Sequence, residues 1–347
     1  MKKRNERKMQ SVYRIAIFRA LYLGDMLCII PAVRAIRKAF PHAEITLIGL
    51  PWQEGFRDRF SKYLDRFISF PGWPGLPEQP LNSQATVEFL LSIRSLRFDL
   101  VFQMQGDGDI TNSMCMLWNA KKVCGLRKAG GYGPDEALFP VSEDGEHEIL
   151  RFLKLTRAAG IPDDGSHLEF PITGEERCRY WQIAEGAGLS PNGYVCVHAG
   201  ARDIRRRWSV DKFAFIASRI ALQGYSIVLT GSQDEEDLLS RLQRQIETPV
   251  LNIVESFGHL GAGELAAIIE SAALLVSNDT GVSHLSAALG TRSVILFSPH
   301  SDISRWRPLD RERHISVPFE KAADEQWVLQ LVLQQLAIGA PLQPRFT

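Results

Sequence analysis

The chain carries no net charge: 40 lysines and arginines are matched by 40 aspartates and glutamates over 347 residues. No whole-molecule field draws it to nucleic acid, so any anion it binds must be held by a local arrangement of donors. Cysteine is scarce. The five present (Cys28, Cys115, Cys124, Cys178 and Cys196) are odd in number, scattered and never spaced C-x-x-C. That argues against a disulfide framework or a zinc site and fits a reducing compartment, the cytoplasm. Short internal repeats and low-complexity segments are lacking. The apolar stretch after the basic start MKKRNERKMQ is broken by Arg14, Arg19 and Asp25 and has no small-residue cleavage pattern, so the expectation is a soluble protein without a secretory leader. The basic tail is expected to be a solvated end, with peripheral contact to an anionic membrane surface as the alternative.

What is present is an ordinary globular composition, 45% hydrophobic and 23% charged, in a chain longer than one hydrophobic core usually supports. Short apolar runs alternate with amphipathic stretches of helical length, the pattern of an α/β protein with parallel sheets covered by helices. Strands are expected near Tyr13–Phe18, Glu44–Ile48, Arg66–Ser69, Leu100–Gln103 and Lys122–Gly125. A long helix is expected over Asp25–Phe40, stopped by Pro41. The segment FPGWPGLPEQP, Phe70–Pro80, is too rich in proline and glycine for either element and reads as a surface loop. The alternation restarts after Phe170-Pro171-Ile172, with a helix at Glu175–Ala187 and strands near Tyr194–His198, Ser226–Thr230, Val250–Ile253, Leu274–Ser277 and Val294–Phe297. Two Rossmann-like domains, 1–172 and 173–347, are therefore expected, with a last helix near 324–338 that packs back on the first.

In such sheets ligands bind beyond the carboxyl ends of the strands, so the loops there carry the functional argument. In SNDTGVSHLSAALG, Asp279 is placed to cap a helix starting near Thr280, Gly281 to allow close backbone approach, and His284 on the same helical face. The open N–H groups of that first turn favour a phosphate. In HAGARDIRRRWSVDKF, Ala199 and Gly200 open a loop that crowds Arg202, Arg205, Arg206 and Arg207 between strand and helix, and guanidinium forks suit phosphate oxygens. Together the two loops suggest a diphosphate, with an ordinary capped helix and a solvated basic loop as the plainer alternatives. A third loop, TGSQDEEDLL, offers Ser232 and Glu235; a helix cap and a ribose contact both suit such a carboxylate. In the first half, Gly24 makes a turn and Asp25 opens the long helix, either as its cap or as a general base. Two motifs are set aside. GAGELA, Gly261–Ala266, sits too late in the chain for a dinucleotide fingerprint, and Asp107-Gly108-Asp109 reads more simply as a helix start than as a metal site.

The pieces LGDMLCIIPAVRAIRKAFPHAEITLI, HAGARDIRRRWSVDKFAFIASRI, LTGSQDEEDL and SNDTGVSHLSAALGTRSVILFSP occur in an order that resembles the heptosyltransferases, glycosyltransferase family nine. The resemblance spans nearly the whole chain and implies a GT-B architecture, two Rossmann-like domains facing an interdomain cleft. It implies an inverting, metal-independent glycosyltransferase with no cofactor, taking ADP-heptose as donor and a glycan or lipid-linked glycan as acceptor, as in lipopolysaccharide core assembly. On that resemblance Asp25 is the base. Arg206, Arg207, Asp279, Thr280, Gly281, His284, Glu235 and Ser232 hold the nucleotide sugar, and Gly24, Ala199 and Gly200 line the cleft. The family commonly has a lysine two residues before the tryptophan of the middle motif, where this chain has Arg206, a planar fork in place of a compact ammonium. A nucleotide-sugar epimerase or hydrolase of the same fold, or a non-catalytic sugar-nucleotide binder, are the alternatives.

Overall fold

A computed structural model describes residues 12–258 and 260–339. The tail MKKRNERKMQ, and with it the membrane-contact alternative, lies outside the described residues. The chain divides into two compact units, residues 1–167 and 168–347, each built on its own parallel sheet.

The first unit runs β1 (Arg14–Phe18), α1 (Leu23–Ala39), β2 (Glu44–Gly49), α2 (Gln53–Arg59), β3 (Arg66–Ser69), α3 (Ser83–Ser95), β4 (Leu100–Gln103), α4 (Thr111–Met116), β5 (Lys122–Gly125) and α5 (Glu148–Ala158). Its strands order β3-β2-β1-β4-β5 and pair in parallel throughout. Strands β1, β2 and β4 are buried along most of their length, as a sheet covered on both faces requires, while the edge strand β3 is not. Phe18 from β1 packs edge-on against Phe70 at 5.0 Å and Trp118 at 5.6 Å, and Trp118 against Phe89 of α3 at 5.8 Å. Phe70 thus anchors one end of the proline-rich loop in the core. At its other end Gln105 Nε2 donates to Glu78 Oε1 at 3.0 Å, so this surface loop is tied down at two points.

The second unit runs α6 (Gly174–Ala187), β6 (Tyr194–His198), α7 (Val210–Ala221), β7 (Ser226–Leu229), α8 (Glu236–Gln245), β8 (Val250–Asn252), α9 (Ile253–Phe257), α10 (Ala262–Ser271), β9 (Leu274–Asn278), α11 (Gly281–Leu289), β10 (Ser293–Leu296), α12 (Ile303–Trp306), β11 (His314–Val317), α13 (Phe319–Ala322) and α14 (Glu325–Gly339). Its strand order is β11-β10-β9-β6-β7-β8, again all parallel. α6 opens on a full capping box between Thr173 and Glu176 and closes on Gly188 in the left-handed region, the start and stop chemistry that a free-standing helix needs.

Two expectations are corrected. Strand β11 is absent from the sequence reading because HISV is only four residues long between the charged run RER and Pro318, too short to show alternation. In the last helix, Val328, Val332 and Leu336 of α14 join Val294, Leu296 and Val317 in the core of the second unit. Helix α1 begins at Leu23 with Tyr22 in the N-cap position, so Asp25 is its third residue and not its cap. Among the described residues no helix is long and apolar enough to cross a membrane.

Burial pushes the His314 imidazole down from 6.5 to about 4, the neighbouring Arg313 and Arg292 adding to the effect and Asp310 opposing it. The folded protein keeps this ring neutral where the unfolded chain protonates it. Between about pH 6.5 and 4 the unfolded state therefore binds the extra proton, and stability falls as pH falls, by about 3 kcal/mol over the window. Urea denaturation from pH 7 down toward pH 4 should show a steeper loss for the wild type than for a His314→Gln variant. Equal slopes would mean that this histidine does not carry the effect.

Candidate functional site

In the second sheet the order reverses between β6 and β9: the chain leaves β6 toward β7 on one side and leaves β9 toward β10 on the other. The loops after these two neighbours diverge and leave a crevice at their carboxyl ends, where α/β sheets take ligands. The arginine loop follows β6 and the Asn-Asp-Thr-Gly turn follows β9, so the fold brings together the two segments that the sequence singled out.

Asn278 joins them. Its Oδ1 accepts from the Trp208 N–H at 2.9 Å, and its Nδ2 donates to the carbonyls of Ala199 at 2.8 Å and Gly200 at 3.3 Å. The amide is fully buried, so each bond replaces one to water that the site no longer provides. Sequence reasoning passed over Asn278 because an asparagine at a strand end reads as turn chemistry.

The four arginines of the loop part ways. Arg205 forks onto Asp203, with bonds of 2.7–3.1 Å, and holds that carboxylate down to about 2. Arg207 turns inward, donating to the Ala201 carbonyl at 2.9 Å and reaching Glu235 at 3.5 Å. Arg206 pairs with Asp279 and donates through Nε to Ser301 Oγ at 2.8 Å. Arg202 stays exposed in the loop. Of the four, Arg206 is the one held against the head of α11 while keeping its side chain 30% exposed.

Asp279 does not cap α11. Thr280 occupies the N-cap position, no side chain caps the helix, and the Thr280 hydroxyl is buried without a hydrogen-bond partner. The Ser283 N–H turns back to the Thr280 carbonyl at 3.0 Å, and the Gly281 and Val282 N–H groups are left with the positive end of the dipole and a guanidinium beside them. Chemically the arrangement suits an anion, with Asp279 pairing with the arginine and not capping the helix. His284 is buried and packs edge-on to Trp306 at 5.9 Å.

Glu235 is also buried. It accepts from the Ser232 N–H at 3.0 Å in a reciprocal capping box and serves as counter-ion to Arg207. A Cβ on Gly200 would lie 2.1 Å from its Oε1, so only glycine fits there. The geometry gives Glu235 and Ser232 the role of bracing the arginine loop from behind. His198, beside this pair, donates to or accepts from Thr230 Oγ1 at 3.1 Å, and burial depresses its pKa, with Arg207 adding to the depression and Glu235 opposing it.

In the first unit the reversal falls between β1 and β4. The loop after β1 carries Arg19, and Gly24 and Asp25 follow in the first turn of α1; Gly24 is buried, while the Asp25 side chain is 25% exposed. Arg19 and Glu148, both buried and both passed over in the sequence, lie behind Asp25. Neither leaves a sequence signal, because the bond that joins them spans 129 positions of the chain. Asp107 and Asp109 are engaged by Arg151 and Lys128, each at 2.7 Å, and among the described residues no three His, Cys, Asp or Glu side chains are grouped to hold a metal. Gly263 of the GAGELA motif marks a close helix approach, since a Cβ there would meet the Glu176 carboxylate.

The family model described as glycosyltransferase family 9 (heptosyltransferase) matches residues 87–329. The chain is 32% identical over 311 residues to lipopolysaccharide heptosyltransferase 3 of Escherichia coli, covering 82% of this chain and 83% of that one. In three dimensions it is similar to a glycosyl transferase family 9 protein from Veillonella parvula DSM 2008, with a TM-score of 0.76 at 20% identity over 95% of this chain and 99% of that one. It is also similar to an E. coli heptosyltransferase solved with ADP, with a TM-score of 0.63 at 16% identity over 94% and 99%. The shared fold is the GT-B type, two α/β units with parallel sheets.

Replacing Asn278 by alanine strands the Trp208 N–H and the Ala199 carbonyl inside the protein, at a cost of about 1–3 kcal/mol. A chemical-denaturation midpoint that stays at the wild-type value would remove Asn278 from its place as the joint between the two loops.

Proposed function

Because the chain belongs to glycosyltransferase family 9, the heptosyltransferases, and is therefore a glycosyltransferase, we propose that it transfers a heptose from ADP-heptose to a hydroxyl of a lipopolysaccharide core glycan. In this reading transfer inverts the anomeric carbon, needs no metal ion, and takes place in the cytoplasm. The observation that carries it is the uncapped head of α11 with Arg206 fixed beside it by Asp279 and Ser301. An ADP leaving group gains negative charge as the anomeric carbon–oxygen bond breaks. Donors already aimed at that oxygen, and unable to relax away from it, stabilise the transition state more than the ground state. The acceptor oxygen forms the new bond at the anomeric carbon, and its proton passes to Asp25. E. coli heptosyltransferases solved with ADP and with ADP-2-deoxy-2-fluoro heptose support this choice of donor.

Arginine in place of the family's usual lysine suits the site physically. A fork can keep one edge on Asp279 while offering another N–H to a phosphate oxygen, which a single ammonium on a flexible stem does with less fixed geometry.

ADP should raise the melting temperature of the protein while UDP and GDP do not, and stabilisation by UDP alone would overturn the donor assignment. Arg206→Met should lower turnover of ADP-heptose by about 10²–10³, or about 2.7–4 kcal/mol by analogy with lost oxyanion donors. Asp25→Asn should abolish transfer to inner-core lipopolysaccharide and leave ADP affinity intact. Undiminished turnover in this variant would refute the base, and loss of activity on adding EDTA would refute the metal-free mechanism.

A further inference from the structure

Behind Asp25 runs a charged chain that the reaction as proposed does not use. The Arg19 guanidinium is wholly buried at the end of β1. Its Nε donates to the Asp25 backbone carbonyl at 3.0 Å and its Nη1 to the carbonyl of Met104. Its Nη2 reaches Glu148 Oε1 at 2.8 Å and Asp25 Oδ1 at 3.4 Å. The other oxygen of Glu148 accepts from Arg151 at 3.2 Å, and Arg151 continues to Asp107 at 2.7 Å. Charge alternates along all five residues. Arg19, Glu148 and Arg151 have side chains no more than 2% exposed, whereas the ends open to 25% at Asp25 and 32% at Asp107.

The sealed part holds two cations and one anion, and each of its cations has a carboxylate of its own at the open end, Asp25 for Arg19 and Asp107 for Arg151. Arg19 cannot re-aim: four bonds and the Phe152 ring, 4.7 Å from its guanidinium carbon, fix it on all sides. Its two carboxylate contacts are unequal, and the shorter one goes to Glu148. A carboxylate that takes strong hydrogen bonds in its charged form is a weak base. By drawing the stronger contact to itself, Glu148 leaves Asp25 under the field of Arg19 without the full grip of its hydrogen bond.

We propose that Arg19 is a positioning residue for Asp25: clamped from behind by Glu148, it fixes the Asp25 carboxylate in the first turn of α1 and keeps it charged, while Glu148 stops that grip from weakening it as a base. Arg151 holds the far oxygen of Glu148 and is itself held by Asp107, which gives the Asp-Gly-Asp loop a structural use. The inference rests on the reading of Asp25 as the base.

The test follows the Asp25 carboxyl by carbon-13 NMR in aspartate-labelled protein, with Asp25→Asn supplying the assignment. The same variants are assayed for the pH dependence of kcat/KM with ADP-heptose and inner-core-truncated lipopolysaccharide. Arg19→Met removes an opposite charge within reach and should raise the Asp25 titration by about one pH unit or more. Glu148→Gln removes the negative charge that offsets the field of Arg19 at Asp25 and should lower it. Arg19→Lys should restore most of the wild-type value. Titrations that stay in place, or move the same way in both charge-removing variants, overturn the proposal. Opposite shifts with an unmoved acid limb of kcat/KM uphold the positioning and refute Asp25 as the base. Should Arg19→Met fail to fold, the direction of the near-isosteric Glu148→Gln shift decides.

Discussion

A parallel sheet whose strand order reverses must send the loops after two neighbouring strands in opposite directions, and both sheets of this protein obey that constraint, at β1/β4 and at β6/β9. Every residue assigned a part in the proposed transfer follows from it. The arginine loop and the uncapped helix α11 flank the second reversal, and Asp25 with its buried supports lies at the first. The short loops are then held by side chains of strict geometry: Asn278 in one unit, Arg19 in the other.

With equal numbers of acids and bases, the chain places charge by pairing it. Most arginines near the sites are already committed: Arg205 to Asp203, Arg207 to Glu235, Arg151 to Glu148 and Asp107. Such pairs add little where solvent reaches them. Buried, they cost desolvation and return orientation, which a diphosphate site needs more than raw attraction. Arg206 differs in place: its partner Asp279 lies next to the head of α11, and the guanidinium keeps a partly open face there, whereas Arg207 turns back onto its own loop. That position makes it the arginine suited to meet a ligand.

Much of the architecture was legible because α/β periodicity is strong where strands are buried on both faces. Ten of the eleven strands appear in the apolar runs, and β11 does not because four residues between charges and a proline carry no period. Signature loops were legible as well, since glycine, arginine and acid at strand ends are local chemistry. Roles within them were not. Asp279 reads as a cap and is an arginine's counter-ion; Glu235, which suits a cap or a ribose contact, forms a capping box with Ser232.

By itself, then, the sequence determined two α/β units, the loops that bear chemistry and the family they resemble, because each of these is written in residues close together along the chain. The tertiary structure alone decided which arginine faces the helix head, that Asn278 joins two loops, and that Arg19 and Glu148 stand behind Asp25. Those are contacts between residues about 70 to 130 positions apart. No local pattern encodes them; they exist only once strand order has brought distant loops side by side.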